Sequence, residues 1–159
     1  MKIYYENEHL KWLLSSDGNR FFVEGRMDEL FVHDKLPTPN WSDIQVDLSG
    51  LLLLNSCGVR ELIYWLKKLP LDSQVNFYHC PVCFISQASM VHGLVSPKRR
   101  ISSFLAPYFE PASDREVLKL LTIEDLKSGR APDFENEGLS FDGSEERYFN
   151  FLRFQTEIP

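Results

Sequence analysis

Along the first quarter of the chain, apolar positions come in short runs broken by turn residues. Lys2 to Tyr5 and Leu10 to Ser15 read as strands joined by a polar turn at Glu6-Asn7-Glu8. Asp17-Gly18-Asn19 is a second turn signal, set before a strand over Arg20 to Glu24, so the N-terminus predicts a meander. A short helix is expected over Met27 to Lys35, with Asp28 near its start, because Pro37 and Pro39 prevent continuation. Ile44 to Leu48 has the look of a buried strand ending at Asp47-Leu48-Ser49-Gly50, then a tight loop, then an amphipathic helix over Cys57 to Leu69. In that helix Val59, Leu62, Ile63 and Leu66 recur at i, i+3, i+4 and i+7, the face that packs on a sheet.

A further strand over Val75 to Tyr78 and a helix over Val82 to His92, closed by Gly93, complete a strand, helix, strand, helix order. Such an order implies right-handed crossovers and at least one parallel strand pair. Farther on, Ile101 to Ala106 and Glu116 to Thr122 are expected to pair around a loop over Phe109 to Asp114. Lys127 to Glu146 is rich in Gly, Asp, Glu and Ser, and Arg147 to Phe154 turns aromatic, which suggests a loop and a segment docking back on the core. The expectation is therefore an α/β fold with a mixed β-sheet and helices on one face over residues 1–96. Residues 97–159 form a C-terminal extension: a small hairpin, an acidic loop and a docking aromatic segment.

Composition narrows the function. With 43% hydrophobic and 13% aromatic residues, the chain of 159 residues has the material for a folded core. Its 17 Lys and Arg against 23 Asp and Glu, net charge −6, argue against nucleic acid as a partner. Met1 opens into a polar segment with no apolar run near 18 residues, so a soluble, cytoplasmic protein with no membrane partner is expected. Three cysteines, an odd number, fit free thiols in a reducing compartment.

Three clusters carry candidate chemistry. At Asn55-Ser56-Cys57-Gly58, Asn55 or Ser56 can cap the helix, Gly58 permits close approach of another backbone, and free N–H groups at the positive helix end favour added negative charge. Cys57, if exposed there, would tend toward a lowered thiol pKa. Cys80 and Cys83 form a Cys-x-x-Cys at a strand-to-helix junction, the placement of an attacking thiolate in thiol-disulfide oxidoreductases; the plainer reading is a tight connection with Cys83 turned inward. As a zinc site the pair is incomplete, and His9, His33 and His92 are scattered, so no metal and no cofactor are expected. Lys98-Arg99-Arg100 reads as a solvated turn before a strand. No phosphate-binding Gly-rich loop, nucleophile elbow or convincing carboxylate pair is present, which disfavours a dedicated enzyme.

Asp47-Leu48-Ser49-Gly50, Asn55-Ser56-Cys57-Gly58-Val59, Cys80-Pro81 and Val91-His92-Gly93-Leu94, in this order of elements, resemble a STAS domain, named for sulfate transporters and anti-sigma factor antagonists. The resemblance spans roughly Lys2 to Leu94. It implies a STAS-like mixed sheet and a regulatory protein of bacterial signalling that binds a protein partner, such as an anti-sigma factor or a sensor-kinase-like protein, rather than turning over a substrate. A homodimer is compatible with it. Asp47, Ser49, Asn55, Ser56, Cys57 and Gly58 would form the partner-binding or switch surface. In the antagonist branch the serine just before the glycine is phosphorylated; Cys57 stands there and Asn55 stands at an aspartate, so the resemblance implies that the usual phosphoswitch is absent unless Ser56 substitutes. The tail resembles a zinc-ribbon-like hairpin through Ala106-Pro107-Tyr108 and Tyr148-Phe149-Asn150-Phe151-Leu152, with no cysteine near Glu110 and Ser113 or over Asp133 to Asp142. That degenerate ribbon would depend on packing of Phe109, Phe134, Phe141 and Tyr148. Two other functions stay open: a thiol oxidoreductase using Cys80 and Cys83, and a sensor of a small anionic ligand or nucleotide at the helix start.

Overall fold

The structure, a computed structural model, describes residues 1–156. Residues 157–159 of the expected extension lie outside the described residues.

The meander forms as its turn residues dictate. Strands β1 (Lys2–Glu6), β2 (Leu10–Leu14) and β3 (Arg20–Met27) pair antiparallel in order. From there the chain runs parallel: β4 (Asp43–Leu54), β5 (Gln74–Tyr78) and β6 (Arg99–Ile101) extend one six-stranded sheet in sequence order. Helix α1 (Ser56–Lys68) connects β4 to β5, and α2 (Val82–Met90) precedes β6. A separate antiparallel sheet holds β7 (Ser103–Glu110) between β8 (Arg115–Thr122) and β9 (Ser140–Phe141). Two short helices, α3 (Glu145–Tyr148) and α4 (Phe151–Thr156), end the described chain. The fold is mixed α/β.

Alternation along the strands decides which face is covered. Trp12, Phe21, Val46 and Phe77 are fully buried, and Trp65 of α1 and Phe84 of α2 stand against Trp12 (5.2 Å between ring centres) and Phe77 (4.9 Å) respectively. Leu13, Phe22, Asp47 and Tyr78, which sit in one register row, take the opposite face, as do Arg20, Gln45, Asn76 and Arg100. Polar bonding dominates there: the Arg20 guanidinium donates to Gln45 Oε1 and lies 5.6 Å from the Tyr78 ring centre.

Four expectations are corrected. The helix over Met27 to Lys35 is absent: β3 continues to Met27, and only a 3-10 turn over His33–Lys35 follows. Segment 28–42 is held instead by burial of Phe31 and Leu36, by the His9–Asp28 contact and by the His33–Glu61 pair. Second, β4 does not stop at Gly50; it stays paired to Leu54, taking up one extra residue near Ser49 and another near Leu52 relative to β3. Third, α2 ends at Met90 rather than His92, and Gly93 follows with a positive φ of 100°. Fourth, the sixth strand lies at Arg99–Ile101, so the main sheet runs past the expected boundary at residue 96 and takes in two of the basic residues read as a turn. Its outer edge is closed by Gln155, whose amide accepts from the Ile101 N–H and donates to the Ile101 carbonyl, mimicking a neighbouring strand.

The hairpin of the extension forms around Pro111 to Asp114, a tighter loop than expected, because Pro107 to Glu110 remain in β7. Its aromatic packing centres on Tyr108 rather than Phe109: Tyr108 meets Phe134 (4.9 Å) and Phe141 (5.6 Å), and Phe141 meets Tyr148 (5.7 Å).

Candidate functional site

The start of α1 is fixed from three directions. Asn55 is the cap: its Oδ1 accepts from the Gly58 N–H at 3.0 Å and its backbone carbonyl accepts from the Val59 N–H at 2.9 Å. Its own N–H donates to the Met27 carbonyl at 3.2 Å, extending the β3–β4 pairing into the helix. Gly58 is demanded by sterics, since a Cβ there would stand 2.2 Å from the Met27 carbonyl oxygen. The close approach expected of Gly58 is thus to the end of β3. Ser56 is exposed and Cys57 half-buried beside it. Leu52, at the second extra residue of β4, is 77% exposed, an apolar side chain four residues before Ser56 in sequence.

Asp47 and Ser49 do not join this surface. They lie in the middle of β4, and eight residues of extended chain separate Asp47 from Asn55, about 25 Å at strand spacing. There Asp47 accepts from the Ser49 N–H at 2.9 Å and contacts His79 Nδ1 at 3.0 Å. Burial pulls its carboxyl up, but the Ser49 N–H and His79 outweigh that and hold it below the usual carboxylate range. His79, just past β5, takes a left-handed φ of 53°. The set expected as one switch surface is therefore two places.

His79 was not singled out by sequence reasoning, nor were the other imidazole pairs. His9 Nδ1 lies 2.7 Å from buried Asp28, and His33 pairs with Glu61 of α1. One signal was available: Asp47 is an acidic residue inside an apolar strand run, and such a group, once buried, needs a partner.

The Cys80 and Cys83 junction looks alike in sequence and differs in surroundings. Cys80 is fully buried, its N–H donating to the Ser103 carbonyl (3.1 Å) and its carbonyl accepting from the Leu105 N–H (2.9 Å) of β7. Burial pushes its thiol well up, with Asp47 adding to the shift, and burial also raises Cys83. That is the opposite direction from the one an attacking thiolate needs. The three cysteines are free thiols, and among the described residues no three metal-ligating side chains converge. No helix among them is long and apolar enough to cross a membrane.

Comparison with known proteins finds no match for this chain among protein-family models, curated proteins or solved structures.

Proposed function

We propose that this chain is a non-catalytic, cytoplasmic regulatory module that binds a protein partner through the start of α1, as its sequence resemblance to STAS domains implies. The observation that carries the reading is the combination at Ser56 to Gly58: a rigidly anchored helix start whose serine is exposed, with the exposed apolar Leu52 four residues upstream in β4. A surface that is held in place and still accessible loses little entropy on docking. An anti-sigma factor or sensor-kinase-like protein is the partner class the resemblance suggests.

Between the capping amide of Asn55 and the half-buried thiol of Cys57, Ser56 carries the one side-chain hydroxyl of this helix start, and it is exposed. A negative charge at Ser56 is compatible with the helix, because its positive end favours it. Affinity capture from the native cell, followed by hydrogen exchange on the recovered complex, tests the reading. Protection across residues 54–62 is the expected result, and Ser56→Asp is expected to lower capture at least tenfold. A complex that leaves 54–62 exchanging as in the free chain ends it.

A further inference from the structure

One side of α1 borders a groove whose other wall is α2 near the helix start and the segment Gly93 to Arg99 farther along. Near the start of α1, a trough of about 330 Å³ is walled by Val59, Arg60 and Ile63 of α1 and by Gln87 and Val91 from the α2 side. Toward the end of α1 a second trough, of about 460 Å³, has an apolar floor including Leu66 and Leu69, and Lys67, Lys98 and Arg99 on its rim. They adjoin where Gly93 rests on Ile63, with 3.4 Å between the Ile63 side chain and the position a Cβ would take. Ser56, Arg60, Ile63 and Lys67 are spaced as one stripe of a helix, so the groove follows α1 for about 20 Å.

Charge is what distinguishes this groove. The chain carries net charge −6, yet no Asp or Glu lines either trough, while four cationic side chains do. Lys98 Nζ and the Arg99 guanidinium donate only to carbonyls, those of Leu71, Ser73, Pro70 and Lys98 itself. Among the described residues no carboxylate stands within ion-pair distance of Lys67, Lys98 or Arg99, and Arg60 reaches only Glu61 at 3.8 Å. The acids on the far side of α1 are engaged elsewhere, Glu61 with His33 and Asp34 with Lys68. Leu71, at 89% exposure, adds an uncovered apolar side chain at the groove's end.

We propose that the groove beside α1 docks an acidic amphipathic helix of a partner protein, whose apolar stripe fills the two troughs and whose flanking carboxylates meet Arg60, Lys67 and Lys98. The assignment rests on the protein-binding reading above and names the chemistry of the partner. Length and shape fit a helix of about four turns laid beside α1, the helix-in-groove mode of recognition. A second copy of this chain has no such element to offer among its described residues. The exposed face of α1 is basic, α2 contains no charged residue, α3 is a single turn, and α4 is six residues long with no acidic side chain.

The test uses three synthetic 16-residue helical peptides with one shared leucine stripe and polar positions filled by Glu, Gln or Lys, titrated into the isotopically labelled full chain. The Glu peptide is expected to shift the amides of Ile63, Lys67, Leu71 and Gly93. It is also expected to bind at least tenfold tighter than the Lys peptide, although the net charge of the chain favours the latter, and to weaken as salt rises. Lys67→Glu combined with Lys98→Glu should reverse the order of the two peptides; Lys67→Glu alone should narrow it if the double variant fails to fold. Absent groove shifts, or equal binding of all three peptides, overturn the proposal. So does a concentration-dependent dimer abolished by Ile63→Arg, which would place a second copy in the groove. Partner protection at residues 54–62 together with charge-blind peptides would sink the groove assignment and spare the protein-binding reading. Charge-selective peptides with no partner protection there would do the reverse.

Discussion

Two strand-to-helix junctions sit side by side in this sheet, and they came to opposite ends. At the close of β4, Asn55 caps α1 with its side chain, Gly58 is pressed on Met27, and Ser56 faces solvent. At the close of β5, Pro81 caps α2 with no side-chain bond, and Cys80 is buried beneath β7. Both junctions carry small residues and a thiol where a helix begins. Only the first exposes the residue that leads its helix; the C-terminal hairpin docks on the second, takes up the backbone groups of Cys80 and leaves Pro81 to Cys83 half-buried. A helix start stays exposed when nothing else in the chain packs on it, which is what the proposed recognition surface at Ser56 requires.

The steepest way to break the first junction is Gly58→Val. The added carbons have no room against the Met27 carbonyl, so α1 must move off β3, a loss expected near 3 kcal/mol in chemical denaturation. A Gly58→Val chain as stable as the parent would show that the close approach is not a constraint. At the second junction, Cys80→Ser places a hydroxyl in an apolar site and is expected to cost about 2 kcal/mol, whereas Cys83→Ser should cost well under half of that. Thiol labelling gives an independent reading: Cys57 and Cys83 react in the folded chain, and Cys80 reacts only as fast as the chain unfolds.

Removing the cap separates its role from that of the glycine. Asn55→Ala is expected to cost about 1 kcal/mol and to fray the first turn of α1, visible as faster amide exchange at Gly58. Asn55→Asp keeps the capping oxygen but faces Glu29, now 3.4 Å from the Asn55 amide, so it should be less stable than Asn55 at neutral pH and recover as the carboxylates protonate. The smallest effect concerns the open face. Because the folded-state pKa of Asp47 is depressed, its contribution is present above the ordinary carboxylate value and is lost as pH falls through the folded one. Asp47→Asn should therefore flatten the acid side of the stability profile below about pH 4. An unchanged profile would mean that the Ser49 and His79 bonds to the ionised carboxylate contribute nothing to stability.

Local signals were legible where local forces decide. The turns around Asn7 and Gly18, the cap at Asn55, the buried stripe of α1 and the parallel order of β4 and β5 all follow from residue type and spacing. Val59, Leu62 and Leu66 are buried as their spacing requires, but Ile63 of the same expected stripe is only half-buried; Trp65, three residues past Leu62 and fully buried, takes that place because the buried face is turned toward it. What misled was any element whose end depends on a distant neighbour. Gly50 looked like the end of β4, but Gly25, Arg26 and Met27 of β3 continue to pair beyond it, and the strand absorbs two extra residues instead of stopping.

By itself the sequence determined an α/β chain with a meander, two helical crossovers, the first of them amphipathic, and a glycine that permits close approach of another backbone. Tertiary structure decided which of the candidate residues share a place: Asp47 went to His79 in the middle of a strand, Asn55 to Gly58 at its end, and Cys80 under the hairpin. It also decided that four cations line one groove without a carboxylate. The reason is physical. Caps, turns and helical stripes are governed by neighbours within a few residues, whereas burial, charge compensation and accessibility depend on segments that meet only after the chain has closed on itself.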